Sequence, residues 1–237
     1  MFKGKSCGVK SLQDFFLGTN PFGVGGVTVA DKIAPKLAST DPIQTVDADG
    51  NGKIDHIRIE FTEAIDNNYL SATTFSVAGY TVTAAATDTD GAVATATAKG
   101  DGTNSKYVLL TVAEKTTPDT DATPNVQRVG TVKDVNGNEF TGLTAATASV
   151  DKAAPVLLSA VGANGSDEVT LTFSEPVYGG TASALADLAT SDFTFTAGAT
   201  VATIDSIVST TKQGVTSLVI KMSAALATED LDADLHY

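Results

Sequence analysis

Hydrophobic and polar residues alternate strictly along two stretches of the chain, IRIEFTEAI at residues 57–65 and VTLTFSEPV at residues 169–177. In the first stretch, Ile57, Ile59 and Phe61 share one face. The corresponding residues of the second stretch are Val169, Leu171 and Phe173. A period of two with β-branched and aromatic residues predicts a half-buried β-strand. Each stretch therefore predicts the same kind of strand in a different part of the chain.

These two strands belong to a longer repeat. DKIAPKLAS at residues 31–39 returns as DKAAPVLLS at residues 151–159, with six of nine positions identical. Further matching pairs are TTFSV at 73–77 with SDFTF at 191–195, and YVLLTV at 107–112 with LVIKM at 218–222. Short strands broken by Gly, Asp-Gly and Asn-Gly turns favour a β-sandwich over a parallel α/β sheet. SALADL at 183–188 is one of two brief helix candidates.

The expected fold class is therefore all-β, with two tandem sandwich domains. An extended N-terminal arm occupies residues 1–30 in this interpretation. The first domain covers residues 31–150, and the second covers residues 151–237. The length of 237 residues is enough for a hydrophobic core in each domain.

Composition and charge narrow the range of partners. The net charge is −13, which repels nucleic acid and anionic lipid surfaces. No apolar run approaches the roughly 18 residues that a membrane span needs, so we expect no membrane insertion. Cys7 is the single cysteine, so an intramolecular disulfide is excluded and its role stays open.

Several sequence motifs in the chain resemble those of a known protein domain family. The repeated APxLxS, the strand ending FSEPV, the later SDFTF and the VKDVNGNEF at 132–140 are similar to bacterial Ig-like domains of surface-layer proteins, adhesins and multidomain extracellular enzymes. The resemblance covers residues 31–237. It implies an Ig-like sandwich fold and an extracellular or cell-surface location. Such modules act as spacers, lattice contacts or binding units, so the resemblance specifies fold more closely than function.

The first copy is longer than the second. From Pro35 to Phe61 is 26 residues, whereas from Pro155 to Phe173 is 18. We expect the eight extra residues to centre on DADGNGKID at 47–55. This is the stretch of the chain richest in potential metal ligands.

The spacing of this loop predicts a calcium site. The predicted ligands are Asp47, Asp49, Asn51, the backbone carbonyl of Lys53, and Asp55. They occupy positions 1, 3, 5, 7 and 9 of an EF-hand-like loop, with Gly52 at the sharp turn and Ile54 pointing inward. Arg58 stands where an EF-hand has its bidentate Glu, and strands flank the loop. We therefore expect weak Ca²⁺ binding, with a Kd of roughly 10⁻⁴ to 10⁻³ M.

A metal-free interpretation of the same loop is a pair of Asx and Asn-Gly turns. DVNGNEF at 134–140 and GANGSDE at 162–168 lack the ligand spacing and are expected to be tight turns. DTDG at 88–91 is expected to form a hairpin tip, with an outside carboxylate for the loop as the second possibility.

The second domain lacks a counterpart of the closing strand GLTAATASV at 142–150. The alignment places Tyr237 opposite about Gln127. FGVGGVTVA at 22–30 stands before the first DKxAP, where the closing strand stands before the second. One hypothesis is that residues 22–30 of one molecule supply the missing strand of the next, head to tail, giving a homopolymer. The other is that a longer array continues beyond residue 237 and completes the domain.

No motif indicates catalysis, and we expect no enzyme. Asp55 and His56 are adjacent, and on a strand their side chains would point to opposite faces. The expected function is a structural extracellular protein, a calcium-stabilised subunit of a surface layer, filament or similar assembly. Alternatives are an adhesin, a carbohydrate-binding or spacer module of a larger protein, or a phage or virion appendage. The absence of Trp disfavours carbohydrate recognition.

Overall fold

The computed structural model describes residues 30–88, 103–181, 183–196, 203–226 and 234–236. Over these residues the chain is all-β, with two one-turn 3₁₀ helices, Asn67–Tyr69 and Thr190–Asp192, and no α-helix. Among the described residues, those from Ala34 onwards belong to one compact unit. The N-terminal arm predicted at 1–30 lies outside the described residues except for Ala30. No helix in the described part of the chain has the length and apolar character to span a membrane.

The described residues contain fifteen strands. They are β1 Ile43–Val46, β2 His56–Ile65, β3 Phe75–Val77, β4 Val82–Asp88, β5 Ser105–Val112, β6 Asn125–Arg128, β7 Thr147–Ala148, β8 Leu157–Gly162, β9 Glu168–Val177, β10 Gly179–Thr181, β11 Ala184–Ala186, β12 Thr194–Thr196, β13 Ile204–Ile207, β14 Val215–Met222 and β15 Asp234–His236.

Residues 34–150, called the first half here, contain two antiparallel sheets. One has the order β1-β2-β5-β4 and the other β3-β6-β7. The alternation in β2 buries Ile57, Ile59 and Phe61, each at most 1% exposed. The Phe61 ring meets the Phe140 ring edge-on, with centroids 5.1 Å apart. The core of this half therefore lies along the predicted face of β2.

Residues 151–236, called the second half here, contain a four-stranded antiparallel sheet of order β13-β14-β9-β8 and two separate strand pairs, β10-β11 and β12-β15. The alternation in β9 buries Val169, Leu171 and Phe173. These residues belong to a second hydrophobic cluster, distinct from that of the first half. The described parts of the two halves thus each have a core.

Strand pairing in the two halves follows the same pattern at β2 and β9. Leu37 lies opposite Phe61 in the first half, and Leu157 lies opposite Phe173 in the second. These four residues occupy matching positions in the repeated phrases. The equivalence read from the sequence is thus also present in hydrogen-bonded register.

The same registers locate the eight extra residues of the first half. Two positions before Phe61, Ile59 pairs with Ile43, and two positions before Phe173, Leu171 pairs with Ala160. On the partner strands, Leu37 and Ile43 are six positions apart in the first half. Leu157 and Ala160 are only three positions apart in the second half. Three extra residues therefore lie before β1, and only five lie in the loop at 47–55. The prediction that the eight extra residues centre on this loop therefore holds for five of them, and the other three lie before β1.

The helix predicted at 183–188 is also wrong. Residues Ala184–Ala186 form β11, which pairs antiparallel with β10. Gly180 has φ +87°, and a Cβ there would clash with the carbonyl oxygen of Ala184. Close backbone approach at a glycine outweighs the helix propensity of the Ala and Leu residues. The turns predicted at 134–140 and 162–168 are confirmed by hydrogen bonds from Gly137 N–H to Asp134 O and from Ser166 N–H to Ala163 O.

A closing segment joins the two sheets of the first half. β7 pairs antiparallel with β6, and two residues later Val150 bridges Gln44 of β1 in parallel. Val150 N–H donates to the Ile43 carbonyl at 2.8 Å, and Thr45 N–H donates to the Val150 carbonyl at 3.0 Å. Residues 147–150 therefore cover one edge of each sheet.

Candidate calcium-binding loop

The loop at 47–55 connects β1 to β2 and is organised around the carboxylate of Asp47. One oxygen of Asp47 accepts from the N–H groups of Gly50 at 2.9 Å and Asn51 at 3.2 Å, and the other accepts from Gly52 N–H at 2.7 Å. Gly52 has φ +87°, a conformation that favours glycine. The sequence therefore folds this loop back over its own first residue.

Three carboxylates converge in the loop. One oxygen from each of Asp47, Asp49 and Asp55 lies within 4.8 Å of the other two. Both oxygens of Asp55 accept from Ala48 N–H, at 3.0 and 3.1 Å. Burial raises the pKa of Asp47, and the neighbouring Asp49 raises it further, against the lowering effect of the three N–H donors. The arrangement offers several oxygens to one hard cation.

The other two predicted ligands have different surroundings. Asn51 Oδ1 accepts from Lys53 N–H at 3.0 Å, and Asn51 Nδ2 donates to Asp49 Oδ2 at 3.0 Å. The Lys53 ammonium group lies 3.6 Å from the Glu114 carboxylate. The carbonyl of Lys53 and the oxygen of Asn51 stay predicted ligands. The hydrogen bonds of the loop are those expected of Asx turns, and the converging carboxylates are those expected of a cation site.

The expectation that Asp55 and His56 point to opposite faces was wrong. Asp55 Oδ1 lies 2.7 Å from His56 Nδ1. Asp55 precedes β2, so the alternation of side chains along a strand does not apply to this pair. Nε2 of His56 is buried and has no hydrogen-bond partner among the described residues. His56 is only 3% exposed, which keeps this pair away from bulk solvent.

Asp119 supports the loop and was missed in the sequence analysis. Its Oδ1 accepts from Ile54 N–H at 3.0 Å, and its own N–H donates to the Gly52 carbonyl at 3.1 Å. Its Oδ2 accepts a short hydrogen bond from the Tyr80 hydroxyl and lies 3.2 Å from the Lys115 ammonium group. Because both oxygens are engaged, Asp119 positions the loop. It lies 65 positions from Ile54, so no local spacing could have identified it.

The next residues along the chain contact the second half. Thr120 Oγ1 donates to Ser174 Oγ at 2.8 Å, and the same Ser174 oxygen accepts from Val156 N–H at 2.8 Å. On the loop side, Gly52 lies so close to Leu158 that an added Cβ would be 2.8 Å from its Cδ2 atom. The loop and residues 119–120 therefore lie against β8 and β9.

Glu175 lies beside these contacts. It is 7% exposed, and burial raises its pKa to about 7, helped by the charges of Asp151 and Asp121. A hydrogen bond with Thr120 acts in the opposite direction. Asp88 of the predicted DTDG tip is described and buried, but residues 89–91 lie outside the described residues, so that prediction is untested.

Comparisons with known proteins give one relative and no family. The chain is 31% identical over 123 residues to an outer cell wall protein of Brevibacillus brevis (strain 47 / JCM 6285 / NBRC 100599), a match that covers 50% of this chain and 10% of that protein. No family model matches, and no solved structure matches. Half of this all-β chain is thus similar to a small part of a bacterial outer cell wall protein.

Proposed function

We propose that this chain is a structural part of a bacterial cell-surface protein, built from two Ig-like modules and stiffened by calcium in the loop at 47–55. The observation that carries the proposal is the convergence of Asp47, Asp49 and Asp55 in a loop that packs against the second half. The similarity to an outer cell wall protein supports the location at the surface. The matching registers at β2 and β9 support two copies of one module.

In this proposal, calcium stabilises the loop between β1 and β2. The loop holds three carboxylates within 4.8 Å of one another, and like charges at that distance repel. A bound Ca²⁺ removes the repulsion and fixes the path of the chain from β1 to β2. Since Gly52 touches Leu158, order in the loop also supports the contact with the second half. Asn51, the Lys53 carbonyl and water complete the coordination.

The test is thermal unfolding with 10 mM CaCl₂ and with EGTA. For a Kd of about 10⁻⁴ to 10⁻³ M, calcium adds roughly 1.4 to 2.7 kcal/mol and raises Tm by about 3 to 10 °C. Asp49→Asn removes one ligand charge at an exposed position, so we expect the calcium-dependent shift to be lost while the EGTA value stays within a few degrees. A Tm unaffected by calcium in the unaltered protein would contradict the proposal that calcium stabilises the loop.

Asp205→Asn is the matched control. Asp205 is an exposed aspartate on β13, far from the loop in sequence, and the same change there leaves the calcium response intact. Equal loss of the response in both variants would contradict the assignment to the loop.

A surface-structural role is separated from carbohydrate binding by two measurements on the same sample. Electron microscopy in calcium tests for regular arrays or filaments, and a glycan array tests for binding by monomers. Glycan binding without arrays would favour the adhesin or carbohydrate-module alternative.

A further inference from the structure

We propose that the loop at 47–55, residues 119–120 and the start of the second half form a joint that fixes the two halves against each other, and that calcium in the loop narrows the range of orientations this joint allows. This deepens the proposed function, on which it rests for the calcium site, by extending the effect of the ion to the second half. The joint consists of a short covalent link, a hydrogen bond between two hydroxyl groups and an apolar contact.

The covalent link between the two cores is short. Ala153 packs in the hydrophobic cluster of the first half. Three residues later, Val156 N–H donates to Ser174 Oγ at 2.8 Å, and Ser174 belongs to β9. Ala154 and Pro155 alone therefore lie between a residue anchored in the first core and a residue anchored to the second sheet. Since the ring of Pro155 fixes its φ angle, few backbone dihedrals of the link are free to bend.

A hydrogen bond between two hydroxyl groups lies beside this link. Thr120 is fully buried, and its Oγ1 donates to Ser174 Oγ at 2.8 Å. The oxygen that accepts from the end of the link thus also accepts from the first half. The residue before Thr120, Asp119, donates its backbone N–H to the Gly52 carbonyl at 3.1 Å. Residues 119–120 therefore bind the loop on one side and the second half on the other.

The loop also touches the second half directly, at Gly52. A Cβ added there would be 2.8 Å from Leu158 Cδ2 and 3.1 Å from Ser174 Cβ. Gly52 N–H donates to Asp47 Oδ2 at 2.7 Å, and its carbonyl accepts from Asp119. One residue thus bonds a predicted calcium ligand, bonds the segment at 119–120 and packs against β8 and β9.

These contacts make calcium binding and docking of the second half interdependent. An ion that fixes Asp47 also fixes Gly52, and so favours the conformation in which Gly52 meets Asp119 and Leu158. Because linkage is reciprocal, contacts that favour this conformation raise the affinity for calcium. Substitutions in the second half should therefore weaken calcium binding in the first half, which they would not do if the ion acted within the loop alone.

The first test changes the apolar contact from the side of the second half. Leu158→Ala shortens the side chain that meets Gly52, and Val161→Ala is the matched control, because Val161 lies on the same strand and is 62% exposed. A calcium titration of the full 237-residue chain, followed by the amide NMR signals of the loop, gives the Kd. We expect a Kd at least about threefold weaker for Leu158→Ala and changed by less than about twofold for Val161→Ala.

The second test removes the hydroxyl group that joins the halves. Thr120→Val keeps the shape of the side chain, and we expect it to weaken the Kd about three- to tenfold. Thr74→Val is the matched control, because Thr74 is 3% exposed and its hydroxyl bonds Tyr69 and Ser71 within the first half. Its Kd should change by less than about twofold. Circular dichroism checks that each variant is folded.

Distances between spin labels measure the orientation of the halves. In a Cys7→Ser background, Val129→Cys and Val208→Cys place one label on each half. Both positions are exposed, and the backbone N–H of each donates to a carbonyl of its own half. Calcium should narrow the distribution of distances in the otherwise unaltered chain. The narrowing should be lost in Thr120→Val.

Calcium that binds Leu158→Ala and Thr120→Val as tightly as their controls overturns the joint and leaves the calcium site standing. A distribution of distances that is equal with and without calcium, in a chain that binds the ion, does the same. Failure of the unaltered chain to bind calcium overturns the calcium site and its coupling together. If Thr120→Val does not fold, Leu158→Ala decides, because Leu158 is 38% exposed and its truncation leaves the cores intact.

Discussion

Glu175 shows how a single side chain can make the stability of this protein depend on pH. Burial raises its pKa to about 7, with Asp151 and Asp121 adding to the effect. The folded protein therefore holds a proton that the unfolded chain releases above its ordinary pKa of 4.5. This group's contribution to stability falls as the pH rises from about 4.5 to about 7, and it is constant above that range.

Glu175→Gln removes the titrating group and keeps the shape of the side chain. We expect the variant to be more stable than the unaltered protein at pH 8 by roughly 1 to 3 kcal/mol, with little difference at pH 4.5. Urea unfolding at the two pH values measures this. Glu168→Gln, at an exposed position on the same strand, should change neither value appreciably. An unchanged pH dependence in Glu175→Gln would show that the carboxyl is solvated.

At the scale of elements, the loop at 47–55 is part of the core as well as a candidate ion site. Ile54 is fully buried and belongs to the hydrophobic cluster of the first half. The backbone N–H of Ile54 donates a hydrogen bond to Asp119 Oδ1 at 3.0 Å. The loop therefore contributes packing as well as charge, and the two contributions are separable by mutation.

Ile54→Ala should destabilise the protein by about 2 to 4 kcal/mol in EGTA, because it leaves a cavity in the core. Leu185→Ala is the control, since Leu185 is 58% exposed on β11 and its loss should cost less than about 0.5 kcal/mol. Chemical denaturation in EGTA measures both without a contribution from calcium. Similar effects of the two substitutions would contradict the assignment of Ile54 to the core.

The sequence predicted the elements whose pattern is local. The period of two identified β2 and β9, and Asn-Gly signals identified the turns at 134–140 and 162–168. It failed at β11, where the structure is decided by close approach of backbone at Gly180. It also misjudged the Asp55–His56 contact, because the start of β2 determines whether alternation applies. Within the candidate site, three predicted ligands converge, while Asp119 is brought in by tertiary structure alone.

At the scale of the whole molecule, the loop at 47–55 contributes contacts between the halves, against residues of β8 and β9. Gly52 and Gly50 both have positive φ, at +87° and +71°. A Cβ on Gly52 would meet Leu158 at 2.8 Å and Ser174 at 3.1 Å, whereas a Cβ on Gly50 would meet nothing within 4 Å. The two glycines thus differ in their contact with the second half.

Gly50→Ala should cost about 1 kcal/mol, the strain of a left-handed backbone. Gly52→Ala adds a clash with the second half, so we expect a total loss of roughly 2 to 4 kcal/mol. Urea unfolding of the two variants in EGTA gives the difference. Equal losses would mean that Leu158 moves aside freely and that the halves are loosely packed there.

The parallel pairing of Val150 with β1 has a mechanical consequence. The chain enters β1 at Ile43 and leaves Val150 towards Asp151, so tension along the polypeptide pulls these neighbours in opposite directions. The bonds Val150 N–H to Ile43 O, Thr45 N–H to Val150 O and Lys152 N–H to Thr45 Oγ1 are then loaded in shear and share the force. Under stretching, the first half yields only when these bonds break together, so the pairing resists force applied along the chain.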